Sequence, residues 1–334
     1  MEPSELLTQM RASIEAELKT SLQPLQEGSA AAIGEMVAYH LGWNFPGAEG
    51  KRIRPVFSLL CCGAVCGNWQ SALPVASAVE WVHNFSLIHD DIQDQSATRR
   101  GRDTVWTRSG IAQAINTGDA IFTLARLATQ RLNEVGISPA SIIRIHNLLD
   151  QASLELTIGQ HLDMDFEARG SVQVDEYMEM IAGKTGALLY AACAAGALVG
   201  GADEAKFALY GEFGRNVGLA FQMYDDLLGI WGDSKSTGKP AGDDIRSRKK
   251  TLPILYGIQN SGPARTRWEG SLSSEAQVGA MIQALEDTGA RAHTLKQAEQ
   301  FTQRALISLH QAQALQPYGD KLEKLSLRLL KRED

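Results

Sequence analysis

What this sequence lacks already narrows its class. It has only four cysteines in 334 residues. Cys61, Cys62 and Cys66 share one apolar segment and Cys193 lies in another, without CxxC metal spacing. Reduced core thiols in a cytosolic protein are therefore expected, not a disulfide framework or a thiolate zinc site. Positive charge is also short, with 32 basic against 39 acidic residues and a net charge of −7. No overall positive field draws the chain to nucleic acid or anionic lipid, so any basic site has to be local. The first residues, Met1-Glu2-Pro3-Ser4-Glu5, lack the basic start and apolar run of a signal peptide, which gives a cytoplasmic expectation. The stretch Pro55 to Val79 is broken by Gly67, Asn68, Gln70 and Pro74. Thr185 to Ala202 is Ala-rich, interrupted by glycines and short of the ~20 residues of a membrane span. Two core segments and one tightly packed core helix are expected, and no transmembrane segment.

Proline is absent from residues 75–138 and 140–239, as long helices require. Ser138-Pro139 reads as an N-cap followed by proline at the first helical position. Helices are expected over 72–95, 110–134, 140–168, 174–200 and 203–231, with a surface helix pair from Ala290 to Asp334. Nothing alternates like a strand, so none is assigned. The polar stretches Gly232 to Arg248 and Gln259 to Ala276 read as loops. Neither is a long linker, and the helices around them have apolar faces that need partners. One all-α domain over 1–334 is expected, a large helical bundle.

Two acidic clusters end apolar helices. In His89-Asp90-Asp91-Ile92-Gln93-Asp94, Asp90 and Asp94 are four apart and share a face. Two carboxylates about 6 Å apart repel by roughly 3 kcal/mol at an effective dielectric near 20, and a hard cation relieves this. Asp225-Asp226 closes the run Val217 to Leu228. A single such cluster would ordinarily be an exposed helix end. Two together suit Mg²⁺, which takes few protein carboxylates and completes its shell with water and phosphate oxygens.

Basic residues accompany both clusters. Lys51 and Arg54 stand three apart in Gly50-Lys51-Arg52-Ile53-Arg54-Pro55, on neighbouring faces if a helix starts there. Arg99-Arg100 follows the first cluster, and Lys184, Lys239 and Lys249 lie further on. Cations beside acidic clusters suit a diphosphate bridged to metal, because they neutralise the oxygens that the metal does not reach. The run Arg246, Arg248, Lys249, Lys250 would otherwise be a solvated loop, and His83 a satisfied core histidine. His89 is expected to hydrogen-bond within the bundle.

In their order, these motifs resemble the trans-polyprenyl diphosphate synthase family. The match runs through Lys51 to Pro55, Asp90 to Asp94, Arg99-Arg100, Gly159-Gln160 with Asp163, Lys184-Thr185 and Phe221-Gln222. It continues to Gly238-Lys239-Pro240, Asp244-Ile245-Arg246 and Lys249. The resemblance implies an isoprenoid synthase bundle with a central pocket between helices, working as a homodimer with three Mg²⁺ per site. It implies Asp90, Asp94 and Asp225 as direct metal ligands, supported by Asp91 and Asp226. Arg99, Lys184, Thr185, Gln222 and Lys239 would face an allylic diphosphate, with Lys249 reaching the same region. Lys51, Arg54, His83 and Arg100 would hold isopentenyl diphosphate. Two positions depart from the pattern: Gly229 stands where a third aspartate is usual, and Glu49 where a second glycine is.

The implied reaction is metal-assisted ionisation of the allylic diphosphate and attack by the double bond of isopentenyl diphosphate. Asp90, Asp94, Asp225, Arg99, Lys184 and Lys239 would carry it. A class I terpene cyclase would not need Lys51 and Arg54 and tends to aromatic pockets, whereas aromatics are 7% here. A non-catalytic partner subunit would be expected to have lost site residues. For product length, an ideal helix wheel puts Ser86 nearer than Phe85 to the Asp90 face. Ser86 is too small to block a channel. Phe85, five residues before Asp90, resembles the aromatic that stops the chain in short-chain enzymes making geranylgeranyl diphosphate. That product is expected, with farnesyl or longer polyprenyl diphosphates as alternatives.

Overall fold

The computed structural model describes residues 3–45, 50–232 and 240–331. In chain order, α1 is Pro3–Ser21, α2 Ala31–Leu41, α3 Ile53–Cys66, α4 Leu73–Gln93, α5 Val105–Ser109, α6 Ile111–Gln130 and α7 Pro139–Ala168. Next come α8 Val174–Ile181, a π-helical turn Ala182–Gly186, α9 Ala187–Val199 and α10 Glu204–Trp231. The remainder is α11 Asp243–Arg246, α12 Leu252–Asn260, α13 Gly262–Glu269, α14 Glu275–Asp287, α15 Ala290–Gln311 and α16 Tyr318–Lys331.

Ser138 does cap α7, its Oγ accepting the Ser141 backbone N–H at 3.2 Å. Five expectations are corrected, the first being the loop over Gly232 to Arg248, which contains α11. A short antiparallel hairpin, β1 Thr98–Arg99 and β2 Arg102–Asp103, joins α4 to α5, too short to show alternation. The stretch 259–276 contains α13, whose apolar residues form no clear stripe. The helix expected over 174–200 holds the π-helical turn, which periodicity cannot reveal. Cys66 is exposed, although Cys61, Cys62 and Cys193 are buried; all four are free thiols.

The chain forms two compact units: Met1–Ser153 with Leu188–Gly211 and Gln311–Leu322, and Leu154–Ala187 with Glu212–His310 and Glu323–Asp334. In the first unit, α4 packs along α6 and against α1 and α3. The α9 alanines, Ala191 to Ala195, are fully buried, and a Cβ on Gly196 would come within 2.8 Å of the Ser58 carbonyl carbon on α3. Small residues here buy backbone proximity. In the second unit, Phe166, Tyr177, Ile181, Met223, Leu252 and Leu255 build one core, and Ile230, Ile245, Ile254, Met281 and Leu285 another. The stretch Val174–Val199 is long and apolar enough to cross a membrane, but 78% of its most apolar window is buried inside the protein. Its apolarity therefore supplies core.

Candidate active site

In the first unit, α4 carries His83, Phe85, Ser86, Asp90 and Asp91, and Asp94 caps it. Asp90 is half-buried, Asp94 exposed and Asp91 buried. Arg99 Nε lies 2.9 and 3.0 Å from the two Asp91 oxygens, and its Nη2 2.8 Å from Oδ1. Burial pushes the Asp91 carboxyl up while Arg99 opposes it. The hairpin makes this pairing possible: Arg100 and Gly101 both have positive φ, 53° and 72°, as a two-residue turn between twisted strands requires. Asp91 is thus a partner of Arg99, whereas Asp90 and Asp94 form the outward stripe.

The basic segment differs from the expected helix start. Lys51 precedes α3 and is exposed, and Arg52, the N-cap, is left-handed at φ 49°. The buried Arg52 guanidinium lies 2.6 Å from Glu15 and 2.8 Å from Glu80. Trp43 Nε1 also donates to Glu15, at 2.7 Å. This network holds the segment so that Arg54 Nη1 lies 3.2 Å from His83 Nε2. Burial, then the Arg54 charge, keeps His83 well below its ordinary pKa, so the neutral ring can accept from Arg54. Arg100 converges on the same place: a Cβ on Gly50 would be 3.0 Å from Arg100 Nη2 and 3.1 Å from Arg52 Nη1. Arg54, His83 and Arg100 therefore belong to one basic region, and Lys51 lies three residues before Arg54 in the chain. His40 was not foreseen there; it is buried, with pKa lowered to about 3 by burial and by Arg99, Arg100, Arg102 and Arg52. Only its place in the fold reveals it.

Phe85 packs its ring 4.7 Å from that of Phe122 on α6 and edge-on to His89. His89 Nε2 sits 3.4 Å from the Ile115 carbonyl, within the bundle as expected. Ser86 is buried and donates to the His83 carbonyl of its own helix at 2.9 Å.

In the second unit, the π-helical turn presents Lys184 and Thr185. Gly159 and Gly183 permit it: a Cβ on Gly159 would lie 2.8 Å from the Met180 carbonyl, and one on Gly183 2.5 Å from that of Glu155. Lys184 Nζ bonds Asp163 at 2.5 Å, and Thr185 donates to Gln222 Oε1 at 3.0 Å. Gln222 Nε2 in turn donates to Asp226 at 3.1 Å. Asp226 is buried and also receives the Tyr177 hydroxyl at 2.6 Å and the Leu252 N–H at 3.1 Å. Burial nevertheless raises its pKa to about 7. Asp225, half-buried, is the more open carboxylate.

Lys249 is exposed, and its N–H donates to the Asp244 carbonyl at 2.9 Å. Its neighbours are not a solvated run: Arg248 bonds the Gly270 carbonyl at 2.5 Å and covers the Trp268 ring, and Lys250 bonds the Phe166 carbonyl. Lys239 and Glu49 lie outside the described residues. Over Gly229, the Asp244 carboxylate fills the room a side chain would need; a Cβ would be 2.5 Å from its Cγ. Sequence spacing gave no sign of that.

Among the described residues, no three His, Cys, Asp or Glu side chains gather closely enough to hold a metal on their own. The donors present are carboxylate oxygens in ones and twos, such as Asp90 with Asp94. They fit Mg²⁺, which keeps waters and takes substrate oxygens, and not a metal needing a full protein shell.

Comparison with known proteins agrees with this chemistry. The polyprenyl synthetase family profile matches residues 36–288. The geranylgeranyl diphosphate synthase of Mycobacterium tuberculosis is 41% identical over 267 residues, covering 78% of this chain and 74% of the relative. A (2E,6E)-farnesyl diphosphate synthase of Mycobacterium bovis is 38% identical over 270 residues, covering 77% and 74%. The crystal structure of the geranylgeranyl pyrophosphate synthetase of Pyrococcus horikoshii is similar over 100% of both chains, with TM-score 0.90 and 32% identity. That of the Corynebacterium glutamicum geranylgeranyl pyrophosphate synthase, complexed with isoprenyl diphosphate and magnesium, is similar over 100% of both, with TM-score 0.83 and 26% identity. The chain belongs to the polyprenyl synthetase family and is a short-chain trans-prenyltransferase of the all-α isoprenoid synthase fold.

Proposed function

We propose that this prenyltransferase makes geranylgeranyl diphosphate as its main product, joining isopentenyl diphosphate head-to-tail to allylic diphosphates. The observation that carries the product length is Phe85, whose ring is braced by Phe122 five residues before Asp90. Bulk at 85 with a small serine at 86 suits a pocket deeper than a farnesyl enzyme needs and shallower than a long-chain one.

Asp90, Asp94 and Asp225 would hold magnesium, three ions with diphosphate bound, with Asp91 and Asp226 supporting. A bound divalent cation supplies neutralisation of the charge that develops on the leaving diphosphate. Arg99, Lys184, Thr185, Gln222, Lys239 and Lys249 bind the allylic diphosphate. Lys51, Arg54, His83 and Arg100 orient isopentenyl diphosphate. The allylic C–O bond breaks with its electron pair leaving on the diphosphate. The isopentenyl double bond then attacks the allylic cation, and a proton passes to the released diphosphate. No side chain described above is placed as a dedicated base.

We read residues 1–334 as one functional domain, since the chain crosses between the two compact units repeatedly and the family match spans both. A homodimer is supported by exposed apolar side chains, Ile111 and Ile115 on α6 and Ile143, Leu154 and Ile158 on α7. The acidic charge balance and the buried apolar helix support a cytoplasmic enzyme without a transmembrane segment or nucleic-acid partner.

The test is incubation of purified protein with Mg²⁺, isopentenyl diphosphate and each allylic primer, with product lengths analysed for wild type, Phe85→Ala and Ser86→Phe. Geranylgeranyl diphosphate from the wild type, longer products from the first variant and shorter ones from the second are expected. A main wild-type product of another length refutes the assignment.

A further inference from the structure

We propose that the prenyl chain meets two successive stops, the Phe85–Phe122 ring pair and, beneath it, a polar latch of Arg126 with Asp150 that makes Arg126 a specificity-determining residue. This rests on the reading that Phe85 limits product length. The contacts of α4 with α6 set the geometry: His89 lies against Gly118, Phe85 against Phe122, and Val82 shares a small cavity with Ala125. The two helices therefore run antiparallel, and depth below Asp90 can be counted along α4. At 1.5 Å per residue, Phe85 lies about 7.5 Å and Val82 about 12 Å from Asp90. The difference is close to one helical turn, comparable with the length one isoprene unit adds to an extended chain.

The cavity at that second depth is lined by Val82, Ala125, Leu149, Thr129, His146 and the Arg126–Asp150 pair, and at about 10 Å³ it has room for one water, so an isoprene unit reaches it only with the space that a smaller residue at 85 vacates. Its lining joins the apolar Val82, Ala125 and Leu149 to the polar Thr129, His146, Arg126 and Asp150. Arg126 Nη2 bonds Asp150 at 2.5 Å, and Nη1 donates to the Phe122 carbonyl at 3.0 Å. The Thr129 hydroxyl lies 3.0 Å from His146 Nε2. The Arg126 guanidinium also sits 3.7 Å from the Phe122 ring centroid, so one side chain steadies the first stop and closes the second. A hydrocarbon tail that passed the rings would come up against this charged pair, whose side chains are 33% and 52% exposed, and carbon that went further would meet water and charge instead of being buried. The first stop acts by bulk and the second by polarity.

The consequence is that Phe85→Ala opens one more compartment, not an open channel. The test is product analysis of Phe85→Ala alone and combined with Arg126→Ala, with Asp150→Asn, or with Ala125→Phe. Phe85→Ala should yield mainly one additional isoprene unit. Adding Arg126→Ala or Asp150→Asn should raise the ratio of still longer products to that one by about tenfold or more, the discrimination a pocket wall supplies against extra carbon. Ala125→Phe should return Phe85→Ala to wild-type length by filling the compartment. Asp150 is exposed at the outer edge of the compartment, so Asp150→Asn breaks the latch even where Arg126→Ala fails to fold. If Phe85→Ala lengthens the product but the added substitutions leave the distribution unchanged, the latch is refuted and the Phe85 reading stands. If Phe85→Ala changes nothing, both fall.

Discussion

Replacing Gly229 by aspartate would restore the residue usual at the end of the second acidic motif, yet the structure says this chain has no room for it. A Cβ there would lie 2.5 Å from Asp244 Cγ, so Asp244 must swing away before any carboxylate is accommodated. Two carboxylates crowded to about 4 Å repel by roughly 4 kcal/mol at an effective dielectric near 20. Both positions are half-buried, so rotation of Asp244 toward water relieves much of this, and aspartate regains a few tenths of a kcal/mol over glycine in a helix. A net loss of about 1–2 kcal/mol remains, of order 1–3 °C in Tm for a chain of this length. The assay is thermal unfolding of the metal-free protein for Gly229→Asp, Asp244→Ala and the double variant. The double should recover most of what the first loses, a coupling near 1 kcal/mol. Strictly additive effects, or a Gly229→Asp protein as stable as wild type, would refute the claim that the two side chains compete for one space.

Three further outcomes are expected. Asp90→Ala should lower turnover by roughly 10²-fold or more, the scale of losing a major electrostatic stabiliser, and full activity in excess EDTA would end the metal assignment. Arg54→Ala should raise the KM for isopentenyl diphosphate far more than that for the allylic primer, and equal effects on both would contradict its assignment to isopentenyl diphosphate. Asp226 is raised from 3.8 to about 7, so the folded chain holds a proton there that the unfolded chain has lost. Its contribution to metal-free stability is therefore full below about pH 4 and lost as pH rises to about 7. Urea unfolding across that range should show the decline, and Asp226→Asn should flatten it.

The long helices and their chemistry were legible because both are local. Absent prolines, the Ser138 cap and the four-residue spacing of Asp90 and Asp94 fix α4 and α7 and an acidic stripe without reference to any partner. What stayed hidden depends on distant chain. Asp91 and Asp226 read as members of acidic pairs, but Arg99 claims one and Tyr177, Gln222 and the Leu252 amide claim the other. A helix wheel carries no neighbouring helix, so the meeting of the Phe85 ring with Phe122 on α6 lay beyond it. The π-helical turn at 182–186 was invisible for a related reason, since the glycines that allow it matter only through close packing between Gly159 and the turn.

Among the described residues, three of the five non-glycines with positive φ are arginines: Arg52, Arg100 and Arg248. Glycine or asparagine would adopt that backbone more easily, by about 1 kcal/mol at each position. At Arg52 the buried pairs with Glu15 and Glu80 outweigh that strain, so a campaign that selected variants for heat resistance alone would be drawn instead to Arg100. At Arg100 it would gain a more relaxed hairpin turn and remove a cation from the basic region, trading function for stability one residue at a time.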